Sequence, residues 1–303
     1  MKICLITNPD DVSRRRVVRR LGDSILEKQH QIVLSKPLAT LLANDDDNEG
    51  TGQRLAEANE QQLSIAATEQ EAASRCDVMI AVGGDGTMLH AARLAGRSET
   101  PILGINSGRL GFLADTPMHR AEEALHHLVA GNWRSEKRFV LQASSQGSET
   151  AHYALNEFLF SKHSGVSMIT LEVYCDGRKI NTYWADGLII ATPTGSTAYN
   201  LSAGGPIILP ETEVMVITPV CPHALTTRPL VLPANRCIEV RPVPAEQELL
   251  FSNDGRICGT EAHQLRGIEI TRSDFMIHLI KLPGQNYFQT LRSKLMWGMD
   301  LRN

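Results

Sequence analysis

Residues 78–96 constrain this chain more than any other stretch. Val78, Met79, Ile80, Ala81 and Val82 are consecutive and apolar, the pattern of a strand buried on both faces of a parallel sheet. Gly83, Gly84 and Gly86 then surround Asp85, with Thr87 next. Met88, Leu89, Ala91, Ala92 and Ala95 follow at helical spacing, and Gly96 stands where a helix C-terminal glycine belongs. Strand, glycine turn and helix bring backbone N–H groups and a helix N-terminus to an anion such as phosphate. The aspartate is the unusual part. A loop that only holds phosphate favours lysine, as the P-loop does. An acid beside phosphates is repelled unless it binds a metal or takes a proton from a nucleophile.

The chain has 303 residues, enough for one large domain or two modest ones with a substantial core. Its formal net charge of −4 argues against nucleic acid or an anionic membrane as the main partner. No apolar run approaches the roughly 18 residues that cross a bilayer. The first residues carry neither a long h-region nor a small-residue cleavage site, so no signal peptide is expected. The six cysteines are dispersed without a C-x-x-C pair, which predicts reduced thiols in a cytoplasmic protein.

Taken in order, residues 3–6 read as a first strand and Asn8-Pro9-Asp10 as the turn after it. Val17, Val18, Leu21, Ile25 and Leu26 predict an amphipathic helix over 17–28. Arg14, Arg15, Arg16, Arg19 and Arg20 crowd its start; they are either a polyanion site or a solvated helix face, and such runs are usually solvated. Residues 32–34 form a second strand. The acidic, glycine-marked segment 44–52 reads as a surface loop, although a triple acid can also bind a divalent metal. Residues 55–74 are rich in alanine and glutamate and read as helical or partly so.

A further apolar run at 101–105 enters Asn106-Ser107-Gly108-Arg109-Leu110-Gly111-Phe112-Leu113-Ala114-Asp115. Two strand-to-glycine-loop transitions this close place both loops at the carboxyl edge of one parallel sheet, where ligands bind. Arg109 either pairs with phosphate there or makes a surface ion pair. Residues 121–130 form a helix ended by Gly131-Asn132. Its adjacent His126 and His127 point to different faces, which argues against joint metal binding.

From about residue 133 long helices become scarce. Strand-like runs cover 138–143, 151–160, 168–175, 178–184, 188–192, 214–219, 237–241, 248–252 and 267–272. Asp176-Gly177 between two of them is a two-residue hairpin signal. The expected organisation is an N-terminal α/β domain over 1–134, a β-rich domain over 135–274, and a tail over 275–303 that packs back on the first.

Three clusters can carry chemistry. Asp85 in its glycine loop is one, as general base or metal-assisted activator of a hydroxyl. Asn156-Glu157 at the head of an apolar strand is another; an amide and an acid suit a purine edge and ribose hydroxyls, or are simply a satisfied structural pair. The third is Asp186-Gly187 running through Thr192-Pro193-Thr194-Gly195-Ser196-Thr197-Ala198-Tyr199-Asn200-Leu201-Ser202 to Gly204-Gly205-Pro206. Its small residues let a flat ligand approach the backbone, Tyr199 offers a stacking face or a hydroxyl, and the hydroxyls need partners if buried. It lacks the lysine and spacing of a Walker motif. No nucleophilic triad, H-E-x-x-H or zinc-type Cys/His spacing is present.

Together these residues closely resemble the NAD kinase family, also called ATP/polyphosphate-NAD kinases. The matching text is Gly83-Gly84-Asp85-Gly86-Thr87, Asn106-Ser107-Gly108-Arg109-Leu110-Gly111-Phe112-Leu113, Ser135-Glu136-Lys137-Arg138-Phe139, Asn156-Glu157, the long run from Asp186 to Ile207, Pro222-His223 and Arg228-Pro229-Leu230. The first motif is shared with lipid and sugar kinases; Thr-Pro-Thr-Gly-Ser-Thr-Ala-Tyr is highly specific. The resemblance implies an N-terminal Rossmann-like α/β domain with a C-terminal β-rich, β-sandwich-like domain that binds NAD. It implies phosphoryl transfer from ATP or polyphosphate, with Mg²⁺, to the 2′-hydroxyl of the adenosine ribose of NAD, giving NADP. By the same resemblance Asp85 is the proton acceptor, and Gly83, Gly84, Gly86 and Thr87 handle phosphate. Asn156 and Glu157 hold the adenosine. Asp186 and Thr197, Ala198, Tyr199, Asn200, Leu201 and Ser202 make further dinucleotide contacts, partly to a neighbouring subunit, so a homo-oligomer (dimer or tetramer) is expected. His90 falls where the family often has a basic residue facing the dinucleotide. No side chain is marked as a dedicated metal ligand. Ser167, Trp184 and Arg256 depart from the family pattern, and Arg256 could favour an extra phosphate. A lipid or sugar kinase would instead need an apolar acceptor pocket or a sugar-phosphate basic cluster; a non-catalytic dinucleotide-binding regulator would not need Asp85.

Overall fold

Short β-branched and aliphatic runs of the first half become neighbouring parallel strands. In the computed structural model these are β1 (Lys2–Thr7), β2 (Gln31–Ser35), β3 (Leu63–Ala66), β4 (Val78–Gly83) and β5 (Ile102–Asn106), ordered β3–β2–β1–β4–β5, with the two-residue β6 (Thr116–Pro117) beside β5. The structure describes residues 1–8, 10–43, 53–108, 111–145, 150–163, 167–245, 247–259 and 267–296. Pro9, the acidic segment 44–52 and Arg109 lie outside the described residues. The helices are α1 (Val12–Glu27), α2 (Lys36–Ala43), α3 (Gln53–Ala56), α4 (Glu69–Ser74), α5 (Asp85–Ala95) and α6 (Ala121–Val129). The chain divides into two compact units: Met1–Lys137 with the tail from Ile277, and Arg138–Met276.

In the first unit the strand order is that of a Rossmann half, and its reversal falls between β1 and β4, the switch point where ligands bind in such sheets. All six residues of β4 are buried, as the continuous apolar run requires of a strand covered on both faces. Alternation splits the strands between two helical layers. Ile3, Leu5, Ile80, Val82, Leu103 and Ile105 pack with Val18, Leu21 and Ile25 of α1 and Leu125 and Leu128 of α6. Gly104, with the opposite orientation, faces Met88 of α5. The end of the chain's last long strand, Ile268–Lys281, adds to β5 in parallel through Leu279 opposite Ile102. There Lys281 Nζ lies 2.7 Å from Asp115 Oδ2, both nearly buried.

Several expectations for this unit need correction. The first helix begins at Val12, five residues before its apolar stripe, because the Asp11 carboxylate caps the N–H groups of Ser13 and Arg14. The arginine run is largely absorbed: Arg14 pairs with Asp11, Arg20 with Glu122, and buried Arg19 donates to the Leu42 carbonyl. Segment 55–74 is helical only in part, at the end of α3 and in α4. Leu63–Ala66 is a strand in register with β2, so pairing along the sheet edge overrides local helix propensity.

The second unit consists of antiparallel strands: β7 (Arg134–Ser145), β8 (Ala151–Ala154), β9 (Glu157–Lys162), β10 (Ile169–Cys175), β11 (Arg178–Ala185), β12 (Gly187–Ala191), β13 (Val214–Val220), β14 (Leu230–Pro233), β15 (Ile238–Pro242), β16 (Leu249–Asn253), β17 (Arg256–Gly259) and the start of β18 (Ile268–Lys281). One sheet runs β11–β10–β15–β18, with β7 and β8 beside β18; the other runs β14–β13–β12–β9–β16–β17. Phe139, Leu171, Val173 and Ile270 of the first meet Phe158, Phe160, Ile190 and Phe251 of the second in a single core, a sandwich-like arrangement. Asp176 and Gly177 take φ of 48° and 74° at the β10–β11 turn, as a two-residue hairpin demands. The expected strand over 151–160 is interrupted at Leu155 and Asn156, and β14 and β17 are strands the sequence pattern did not mark. The short helix α7 (Tyr199–Ser202) follows β12, and α8 (Tyr287–Leu295) lies in the tail.

Phe251 is 1% exposed and its ring lies 5.3 Å from Phe158 and 4.9 Å from Phe160. Phe251→Ala is expected to cost about 3–5 kcal/mol of stability, read from the shift of the urea midpoint.

Candidate active site

β4 and β5 end side by side, with Gly83 opposite Asn106, so both glycine loops emerge at the carboxyl edge of the sheet. Gly84 caps α5 without a side chain, and Asp85 is its first helical residue. The N–H groups of Asp85 and Gly86 have no preceding helical turn to bond. A Cβ at Gly84 or Gly86 would meet nothing within 4 Å, so the backbone here is open to a ligand. Thr87 closes the turn, its N–H donating to the Gly84 carbonyl at 3.0 Å.

Asp85 itself is held by backbone. Phe112 N–H donates to Oδ2 at 3.0 Å, and Leu113 and Ala114 N–H donate to Oδ1 at 3.0 and 3.2 Å. A carboxylate offers about four acceptor positions; among the described residues Oδ2 accepts one bond and keeps capacity for another. The holding segment is itself fixed. Asn106 donates through Nδ2 to the Ala114 carbonyl at 2.9 Å and accepts from Gly108 N–H at 2.8 Å. Gly111 is required by this approach, because a Cβ there would lie 2.0 Å from Asp85 Oδ1.

His90 is elsewhere. Five residues on is about 140° around the helix from Asp85, and its ring nitrogens meet Glu69 Oε2 at 2.6 Å and Arg93 at 3.1 Å. The structure therefore ties His90 to α4 and not to the aspartate loop.

In the second unit the interruption between β8 and β9 is the centre of the other cluster. Asp254, at φ 45° in the turn between β16 and β17, accepts from Leu155 N–H at 2.9 Å, Asn156 N–H at 2.7 Å and Glu157 N–H at 3.2 Å. The Asn156 carbonyl accepts from Thr192 N–H at 2.8 Å, and Thr192 Oγ1 donates to the Leu155 carbonyl at 2.6 Å. Gly195 packs directly on this backbone; a Cβ there would sit 2.2 Å from the Asn156 carbonyl oxygen. The hydroxyl-rich loop thus lies against Asn156; buried Ser196 donates to the Ile208 carbonyl at 3.2 Å, and half-buried Thr197 to the Thr194 carbonyl at 3.3 Å.

Glu157 is 8% exposed, and its Oε2 has no partner among the described residues. Burial, then the negative charge of Asp254, push its carboxyl up to about 8. At neutral pH it is protonated, a donor and acceptor together, which suits a hydroxyl.

The remaining residues differ in what they can reach. Ala198, Leu201 and Thr197 are half-buried, while Tyr199 and Ser202 are exposed. Asn200 needs correction as a ligand contact: its side chain is fully buried, donating to the Ser196 and Pro206 carbonyls and accepting from Thr218 Oγ1 at 2.6 Å, so it braces the loop. Asp186 pairs with Lys162 at 2.9 Å at the head of β12. Arg256 is exposed at the start of β17. Asp254 was missed from sequence; Asp254-Gly255 carries the same hairpin signal as Asp176-Gly177, but that marks a turn and not the groups it holds. Among the described residues no three His, Cys, Asp or Glu side chains converge as a metal cluster.

Comparison with known proteins adds a family. Residues 3–133 match the model of the ATP-NAD kinase N-terminal domain, and residues 155–282 that of the ATP-NAD kinase C-terminal domain. The chain is 36% identical to the NAD kinase of Flavobacterium psychrophilum over an alignment of 307 residues, covering 100% of both chains. It is 42% identical to that of Cytophaga hutchinsonii over 229 residues, 75% of this chain and 78% of the relative. Its fold is similar to yeast NADH kinase complexed with NADH, with TM-score 0.87, 22% identity, and coverage of 100% of this chain and 89% of that one. It is also similar to an Archaeoglobus fulgidus NAD kinase in complex with ATP, with TM-score 0.73, 24% identity, and coverage of 97% and 99%.

The Glu157 carboxyl sets a pH dependence. The folded state holds its proton up to about 8 whereas the unfolded chain releases it near 4.5. Its contribution is therefore full below the unfolded value and is lost as pH rises through that window. Relative to Glu157→Gln, the wild type is expected to lose stability steadily between pH 5 and 8, measured by urea denaturation at several pH values; parallel curves contradict this.

Proposed function

The chain belongs to the NAD kinase family, and on that footing we propose that it transfers the terminal phosphoryl group of ATP to the 2′-hydroxyl of the adenosine ribose of NAD, giving NADP. The bond formed joins the ribose 2′-oxygen to the γ-phosphorus; the bridging β–γ bond breaks and ADP leaves. The hydroxyl proton goes to Asp85. The observation that carries this is the Asp85 carboxylate, fixed by three backbone N–H groups with acceptor capacity left on Oδ2. A base whose position is set in advance needs no reorganisation as the proton moves.

The open backbone at Gly84 and Gly86, at the start of α5, suits phosphate, and Thr87 stands next to it. Mg²⁺ would be held by the phosphates of ATP beside the open backbone of Gly84 and Gly86, without a side-chain cage, and would supply charge neutralisation on those phosphates. Asn156 and protonated Glu157 hold the adenosine, with the loop through Thr197, Ala198, Tyr199, Leu201 and Ser202 and the Asp186 carboxylate contributing dinucleotide contacts. Asn200 supports that loop from below. Polyphosphate is a second donor to test beside ATP.

We also assign the chain to a homo-oligomer, a dimer or tetramer, in the cytoplasm. Trp184 is 52% exposed, Tyr199 43% and Leu225 90% in the second unit, apolar surface that a subunit contact would cover. All six cysteines are free thiols, and no helix among the described residues is long and apolar enough to cross a membrane.

Purified protein with ATP, Mg²⁺ and NAD is expected to form NADP, read by an NADP-specific dehydrogenase. Failure with both ATP and polyphosphate contradicts the assignment. Asp85→Asn is expected to lower kcat by roughly 10²–10⁴-fold while calorimetric titration still detects NAD; unchanged turnover removes Asp85 as the base. Light scattering on the eluting protein checks the oligomer, and a monomer at assay concentration contradicts it.

A further inference from the structure

Building on the dinucleotide contacts proposed for Asn156 and Glu157, we propose that Asp254 is a positioning residue for NAD: it does not touch the nucleotide but fixes the backbone from which both contacts project. The need for it is built into the fold. The chain breaks strand pairing between β8 and β9 at Leu155 and Asn156, and backbone groups left there must find acceptors. Asp254 takes all three successive N–H groups, at 2.9, 2.7 and 3.2 Å. Its own N–H returns a bond to the Glu157 carbonyl at 3.1 Å. The neighbouring Asn253 adds a fifth link, Nδ2 donating to the Tyr153 carbonyl at 2.6 Å.

Three consecutive amides that point at one carboxylate fix the local dihedrals. The Asn156 carbonyl then points away from Asp254, where Thr192 N–H reaches it and Gly195 packs on it. Glu157 turns into the protein interior with Oε2 unbonded among the described residues. Asp254 acts on that group a second way, because its charge adds to burial in keeping the carboxyl protonated. The residue therefore controls both where the adenosine contacts stand and whether Glu157 can donate.

The turn makes a clean test available. Asp254 has φ 45°, a left-handed conformation that asparagine adopts at least as readily, so Asp254→Asn adds no backbone strain. It removes the charge and sets an amide nitrogen against one of the three N–H groups. The expected result is a KM for NAD raised at least tenfold at pH 7, with kcat within threefold and KM for ATP within twofold of wild type. The alkaline limb of kcat/KM for NAD moves to lower pH, because Glu157 loses a neighbouring negative charge. Glu157→Gln abolishes that limb. Unchanged KM for NAD and an unchanged limb in Asp254→Asn overturn the proposal. So does a fall in kcat that tracks the loss of folded protein in a thermal melt, with KM and the limb unaltered. If Glu157→Gln leaves KM for NAD unchanged, the underlying assignment of Glu157 fails, and this proposal with it; an effect of Glu157→Gln without one of Asp254→Asn removes Asp254 alone.

Discussion

A carboxylate that accepts from three consecutive backbone N–H groups is the interaction on which the functional part of this molecule depends, and it occurs in each unit. Asp85 gathers Phe112, Leu113 and Ala114; Asp254 gathers Leu155, Asn156 and Glu157. Charge-assisted bonds of this kind are roughly twice as strong as neutral ones. Irregular backbone at the end of a sheet must satisfy its polar groups, and a single side chain does it here at a defined point. On the proposed function, the carboxylate in the first unit is the chemical group and the backbone places it; in the second the carboxylate is the support, and the backbone carries the proposed binding groups.

The consequences run outward through packing. The loop that holds Asp85 is tied by Asn106 to the end of β5, and Asp115, one residue beyond the holding segment, is paired with nearly buried Lys281. A buried pair of that kind is costly to break, since removal of one partner strands the other charge. The tail strand therefore anchors the same loop that holds Asp85. In the second unit the turn bearing Asp254 is fixed by β16, whose Phe251 sits among Phe158 and Phe160 in the core.

Much of the fold was legible because its signals are local and periodic. The continuous apolar run at 78–82, the glycine loop and the helix after it appear where the pattern places them, and Asp176-Gly177 forms its hairpin. What escaped depends on pairing and on backbone. Leu63–Ala66 is a strand because β2 lies beside it, although its surroundings favour helix. The break at Leu155 and Asn156 is invisible in a strand-like run, and so is the partner its amides find, about a hundred positions away at Asp254. Asp85 stood out as an acid among glycines, but the amides that hold it have no residue-type signature. His90 and Asn200 show the converse limit: a motif position identifies neither the face of a helix nor whether a side chain is spent on its own loop.

Gly111→Ala tests, with the aspartate left in place, whether Asp85 takes the ribose proton from a position set by the Phe112–Ala114 amides. The added Cβ would fall 2.0 Å from Asp85 Oδ1, so the carboxylate must leave its amides. Steady-state measurement of NADP formation should show kcat reduced by at least an order of magnitude, with NAD binding by calorimetry retained. A variant that folds, binds NAD and turns over at the wild-type rate would show that catalysis does not need Asp85 in that position.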